Sequence, residues 1–134
     1  MPLAPLAGLS DVVLLIVRVV LGGVMAYYGW SKVTDPKKNA ASFERDGFRP
    51  GWLWGTIVLA TEFGGGLAVI AGLLTWIAAA FITFEMVVGF LTKAIKWRKP
   101  FTDSSYDLQL AALGLALIAF GPGRISVDAL LFGA

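Results

Sequence analysis

Long apolar runs alternate with short charged ones along this chain. Four runs predict helices of membrane-spanning type, at about 12–32, 52–73, 76–97 and 106–120. Roughly 20 helical residues cover the ~30 Å of a bilayer's hydrocarbon core, which the first three runs reach. The fourth is shorter and predicts a less tilted crossing or a thinner stretch of bilayer. Thr34–Gly51 is the one substantial polar stretch. Its Asp35-Pro36 reads as a helix start, because Asp caps free N–H groups and proline suits the first turn, and Gly47 reads as a stop. Ala40, Phe43 and Phe48 on one side, against Lys37, Lys38, Glu44 and Arg45 on the other, predict a short amphipathic helix at about 36–46 on the membrane surface. A solvated loop is the alternative. The predicted fold is therefore all-α: an integral membrane four-helix bundle, one domain over 1–134, with a short interfacial helix between helices 1 and 2.

Local signals set the ends. Ser10 or Asp11 is the expected cap of the first helix, and Pro50-Gly51 precedes the second. Pro100–Ser105 reads as a loop. Gly121-Pro122-Gly123 stops the fourth helix and leaves Arg124–Phe132 as a small interfacial tail. Met1–Ser10 has no Lys or Arg, and the apolar run behind it contains Arg18 and continues too far for a signal peptide, so the segment is expected to be retained.

Composition agrees with a membrane class: 57% hydrophobic, 15% charged, mean hydropathy +0.77. The pI of 9.1 does not point to nucleic acid, because the basic residues sit in two short blocks beside apolar runs. Nine of the eleven Lys and Arg fall in loops 33–51 and 98–105 or the adjoining helix ends. That asymmetry predicts a multi-pass protein of the cytoplasmic membrane with both loops cytoplasmic and both termini outside. The bilayer is the first expected partner, with other membrane subunits or a homo-oligomer beside it. The sequence has no Cys and no His, which removes thiol chemistry, the usual zinc sites and His-ligated haem. No catalytic residue and no metal ligand is assigned, and a redox role needs an electron carrier borrowed from a quinone, a flavin or another subunit.

The candidate chemistry lies in three charges inside the apolar runs, Arg18, Glu62 and Glu85. Counted from the helix ends they lie roughly 12, 16 and 14 Å deep at 1.5 Å per residue. That common level predicts a buried Arg18–Glu62–Glu85 cluster, in which one acid pairs with the arginine and the two acids hold about one proton between them. Three roles stay open: a static ion pair fixing register, a proton-handling or ligand-binding site, or a Glu facing a partner subunit. Gly22, Gly65, Gly66 and Gly89 each lie one turn from one of these charges and are expected to let helices approach closely. Ala60, Gly64, Ala68 and Gly72 form a second small-residue row, which predicts a central helix with two close-packing faces. Tyr27, Tyr28, Trp30 and Trp52 are belt residues or candidate contacts to quinone or lipid, and Trp54 and Trp97 join the belt. Asp107 and Gln109 read as a solvated helix start, and Thr61 and Thr83 as hydroxyls returned to the backbone.

Taken together, Arg18 with Gly22, Gly29-Trp30-x-Lys32, Glu62-x-x-Gly65-Gly66, Gly72-Leu73-Leu74-Thr75 and the closing Gly121-Pro122-Gly123-Arg124-Ile125-Ser126-Val127-Asp128 resemble the DoxX family of small four-helix membrane proteins. The resemblance implies a bacterial or archaeal cytoplasmic-membrane protein tied to quinone, thiosulfate or oxidative-stress redox systems, as an accessory subunit of a respiratory complex. It implies no defined catalytic mechanism. Where many relatives carry a His before the Gly-Trp pair, this chain has Tyr28.

Overall fold

The computed structural model describes residues 9–133, and the expectation for the leading segment lies outside them over residues 1–8. Within the described residues the chain is helical, with no strand: α1 Ser10–Thr34, α2 Pro36–Arg45, α3 Gly51–Ala71, α4 Thr75–Lys96, α5 Phe101–Phe120 and α6 Val127–Phe132. Helices α1, α3 and α4 are long and apolar enough to cross a membrane. Helix α1 packs on α3, α3 on α4 and α4 on α5, and α5 returns to touch α1. The buried centre is Leu21, Met25, Val69, Ala79, Ile82, Met86, Leu110, Ala111 and Leu117, while Phe81, Phe84 and Val87 point outward. An apolar exterior around a small apolar interior is what lipid as solvent permits, and such helices associate through close packing rather than through exclusion of water.

That packing is tightest between α1 and α3. A Cβ added to Gly66 would lie 2.7 Å from the carbonyl oxygen of Gly22, and one added to Gly22 would run into that of Gly66. The expected close approach is thus present on this face. The second row is packed only at its far end: Gly64 has nothing within 4 Å of an added Cβ and Ala60 is exposed, whereas a Cβ at Gly72 would run into Ser126 and the Arg18 guanidinium.

Several ends differ from the sequence reading. Neither Ser10 nor Asp11 caps α1; Leu9 occupies that position without a side-chain bond, and the Asp11 carboxylate instead accepts from the backbone N–H of Arg124 at 2.9 Å. Helix α5 starts five residues early and spans 20 residues. The polar run that reads as a loop is helical because Pro100 presets the entry and Ser104 and Ser105 return their hydroxyls to the carbonyls of Phe101 and Thr102. Its polar first half, with Asp103, Asp107 and Gln109, keeps it outside the set of helices apolar enough to span.

Asp35 caps α2 by accepting from Lys38 N at 3.1 Å, as expected. Helix α2 packs on α3 through polar anchors: the buried Asn39 donates to Gly55 O at 2.9 Å, and the Glu44 carboxylate, from the side that reads as water-facing, accepts from Gly51 N at 3.0 Å. Lys96 reaches back from the end of α4 to Asp46 O and over the Phe48 ring, which ties α2 to the same end of the bundle.

Candidate functional site

The three buried charges do not form one cluster. They are divided between the two ends of the bundle, and each end recruits other residues.

At the tail end Arg18 is buried and takes four carbonyls. Its Nε donates to Val69 O at 3.0 Å and one terminal nitrogen to Ile70 O at 2.7 Å; the other reaches Pro122 O at 3.0 Å and Ile125 O. Val69 and Ile70 belong to the last turn of α3, where carbonyls lack the usual i+4 donor, Val69 O taking only the capping N–H of Gly72, and where the macrodipole favours a cation. Gly72 ends that helix in the left-handed region at φ 72°. Leu74 comes two residues later at φ 48°, a conformation costly for a residue with a Cβ. It is held there by Asp128, whose carboxylate accepts from Leu74 N at 2.7 Å and Thr75 N at 2.9 Å, while Asp128 N donates to Gly72 O. The tail motif is therefore a clasp over the α3–α4 turn. Gly121 and Gly123 supply its left-handed turns at φ 76° and 83°, Pro122 offers a carbonyl to Arg18, and Arg124 is anchored through its N–H to Asp11.

Asp128 lies outside the spanning helices. Burial works against its ionised form, but hydrogen bonds from Thr75 and Leu74 and the charge of Arg18 outweigh it and hold the carboxyl below its ordinary value. A folded-state value below the unfolded one makes this contribution present above the ordinary aspartate range, near pH ~3.9, and lost as pH falls through the folded value. Trp76 fluorescence should thus report tail release only in acid below pH ~4, and Asp128→Asn should flatten that acid limb. An unchanged limb in Asp128→Asn would assign the transition to another group.

At the α2 end a chain of charges links four helices. Lys32 Nζ on α1 pairs with Glu62 Oε2 on α3 at 2.7 Å. Glu85 on α4 lies near enough to Glu62 and Lys32 to feel both charges, and its Oε1 is buried with no hydrogen-bond partner among the described residues. Lys93 on α4 pairs with Asp107 Oδ2 on α5 at 2.9 Å and lies 4.7 Å from the centre of the Tyr106 ring. That ring stands 6.0 Å from Tyr28 of α1 and covers the seam between α1 and α5. Glu62 and Lys93 both sit on widened π turns, Ala60–Gly64 and Thr92–Lys96. Each such turn slots one extra residue into a helix and rotates the later residues by about 100° around its axis.

Glu62 and Glu85 therefore lie together, and Arg18 does not join them. Asp107 is not a solvated helix start but 2% exposed. Gly89, expected to serve Glu85, faces the Asp107 carboxyl, 3.4 Å from an added Cβ. Gly65 lies against Ile82. The four aromatic candidates are not gathered: Tyr27 meets Tyr28 edge-on, Trp30 stacks loosely on Phe63, and Trp52 is exposed. Thr83 bonds Ala79 O at 2.7 Å, as expected.

Comparison with known proteins agrees with this arrangement of membrane helices. The family model described as DoxX matches residues 13–94, a stretch that holds Arg18, Lys32, Glu62, Glu85 and Lys93 and ends before the tail clasp. The chain is 32% identical over 132 residues, 92% of its own length and 95% of the relative's, to the inner membrane protein YqjF of Escherichia coli (strain K12). No solved structure matches it. The chain is a multi-pass membrane protein and belongs to the DoxX family.

Proposed function

We propose that this protein is a four-crossing subunit of the cytoplasmic membrane that holds one exchangeable proton in its charge chain and serves beside a quinone-linked redox or respiratory assembly. It has no catalytic centre of its own in this reading. The carrying observation is an imbalance: three acids, Glu62, Glu85 and Asp107, share two cations, Lys32 and Lys93. A buried net charge is costly, and two neighbouring carboxyls share a proton more cheaply than both ionise. One proton on the Glu62–Glu85 pair makes the set neutral.

Access is one-sided. The side chains of Lys32 and Lys93 are 25% and 22% exposed at the α2 end, while Leu21, Met25, Ile82 and Leu117 pack the interior elsewhere. With loops 33–51 and 98–105 cytoplasmic, protons enter from the cytoplasm. Quinone reduction and quinol oxidation exchange protons together with electrons, and an accessory subunit with a proton site suits such a partner. A quinone ring would meet the chain at the Tyr28–Tyr106 seam. The rival, a free-standing proton-coupled carrier using Glu62 and Glu85, needs a second route through the apolar interior.

The test is infrared spectroscopy of the protein in lipid at neutral pH. A protonated-carboxyl band should be present, shift in D2O, and disappear in Glu85→Gln. A spectrum without that band, or one unaltered by Glu85→Gln, would overturn the proton assignment. Purification in mild detergent as a lone chain without quinone would overturn the accessory role while leaving the proton site standing.

A further inference from the structure

The tail end carries a second feature that the charge chain does not use. An open-sided groove of about 900 Å³ lies between the start of α1, the start of α4 and α6. That volume is within the ~300–1,000 Å³ usual for small-molecule sites. Its walls include Leu14, Trp76, Phe120 and Phe132, and its polar lining includes Asp11 and Arg124. Asp128 also borders it, but both of its oxygens are engaged by the N–H groups of Leu74 and Thr75. The Arg124 side chain is exposed and in no ion pair among the described residues. The groove thus joins a largely apolar wall to one cation, Arg124, and two carboxylates, of which Asp128 is already taken by the α3–α4 turn and Asp11 faces the groove, at the end of helices long enough to span a bilayer.

We propose that this groove seats the head and glycerol region of a zwitterionic phosphoethanolamine phospholipid, with its phosphate at Arg124 and its ammonium at Asp11. Charge complementarity selects this occupant. A guanidinium binds phosphate through paired N–H donors, and a carboxylate beside it repels a purely anionic headgroup but accepts from an ammonium. The arrangement is rigid on both sides. Asp11 is fixed by its bond from Arg124 N, and the Arg124 backbone is held by the tail that Arg18 and Asp128 clasp. Helix α6 presents Leu130, Leu131 and Phe132 outward beside it, a surface suited to neighbouring acyl chains.

The experiment is native mass spectrometry of the full chain released from nanodiscs that contain equal amounts of dioleoyl phosphatidylethanolamine, dioleoyl phosphatidylglycerol and dioleoylglycerol. Phosphatidylethanolamine should be retained about tenfold over phosphatidylglycerol, the ratio expected when a single charge-assisted hydrogen bond separates the two. Diacylglycerol should be lost. Arg124→Ala should abolish retention of both phospholipids. Asp11→Asn keeps the oxygen that accepts from Arg124 N and should only erase the preference between them. Equal retention of the two phospholipids by the unaltered chain would overturn the proposal, and this comparison needs no variant to fold. Equal retention of diacylglycerol would reduce the groove to an apolar filler. Cross-linking from position 76 to residues preceding Leu9 would give the groove to the chain itself and overturn it as well.

Discussion

Arg18→Ala is expected to destabilise the protein by about 3–5 kcal/mol and to release the chain beyond Phe120. A hydrogen bond to a charged group contributes roughly 1.5–3 kcal/mol, and Arg18 makes four. These are not additive, because one fixed guanidinium serves all of them. The removal also leaves the end of α3 without its cation: the carbonyl of Ile70 loses its Arg18 donor, and that of Val69 keeps only the N–H of Gly72. Asp128 loses a nearby positive charge, so the strained Leu74 is held less well. Arg18→Lys should recover only part of the stability, because a single ammonium cannot span Val69 on one helix and Ile125 in the tail as a planar fork does. Thermal unfolding in detergent, followed alongside proteolysis of residues 121–133, measures both effects. An Arg18→Ala protein that melts with the parent and keeps its tail protected would show that the clasp holds without its arginine.

The same residue shows what the sequence could and could not convey. The helices, their approximate ends and their apolar content are legible, because hydropathy and length are properties of the chain itself. Glu62 and Glu85 are legible as a pair for the same reason: depth along two adjacent helices follows from counting residues. Arg18 is misplaced when levels are counted at the backbone alone. Side chains of a helix lean toward its N-terminus. Helix α1 runs from the tail end to the α2 end, so the long arm of Arg18 leans toward the tail and away from the acids. Lys32, on the same helix, leans inward from the α2 end and reaches Glu62. Helix α4 runs in the same sense as α1, and Lys93 likewise leans inward to Asp107. One geometric rule, applied to three cations, predicts both ends of the structure. Asp107 is less accessible to such reasoning: its helix begins at Phe101, so it sits nearly two turns inside an element whose start the polar run 102–105 conceals.

Lys32→Met is expected to cost a similar ~3–5 kcal/mol, for a different reason. The ammonium sits 2.7 Å from Glu62 and also acts on Glu85, so its loss leaves two buried carboxyls facing each other without their cation. Adding Glu62→Gln should restore most of the loss, since the remaining acid can take up a proton, and the resulting coupling energy is the signature of a desolvated pair. The two Glu variants then separate a proton site from a pair that merely fixes register. Glu85 is the acid in excess, and Glu85→Gln leaves two acids with two lysines, a set that is neutral without a proton. That change should be near neutral or stabilising. Glu62→Gln removes the direct partner of Lys32 and should destabilise, though less than Lys32→Met, because Glu85 is close enough to ionise in its place. A static ion pair makes no use of Glu85 as a proton holder, so its variants should obey no such order. Denaturant titration of the four proteins in mixed micelles decides the matter: additive costs across Lys32 and Glu62, or a Glu85→Gln protein as unstable as Glu62→Gln, would remove the shared proton from the structure.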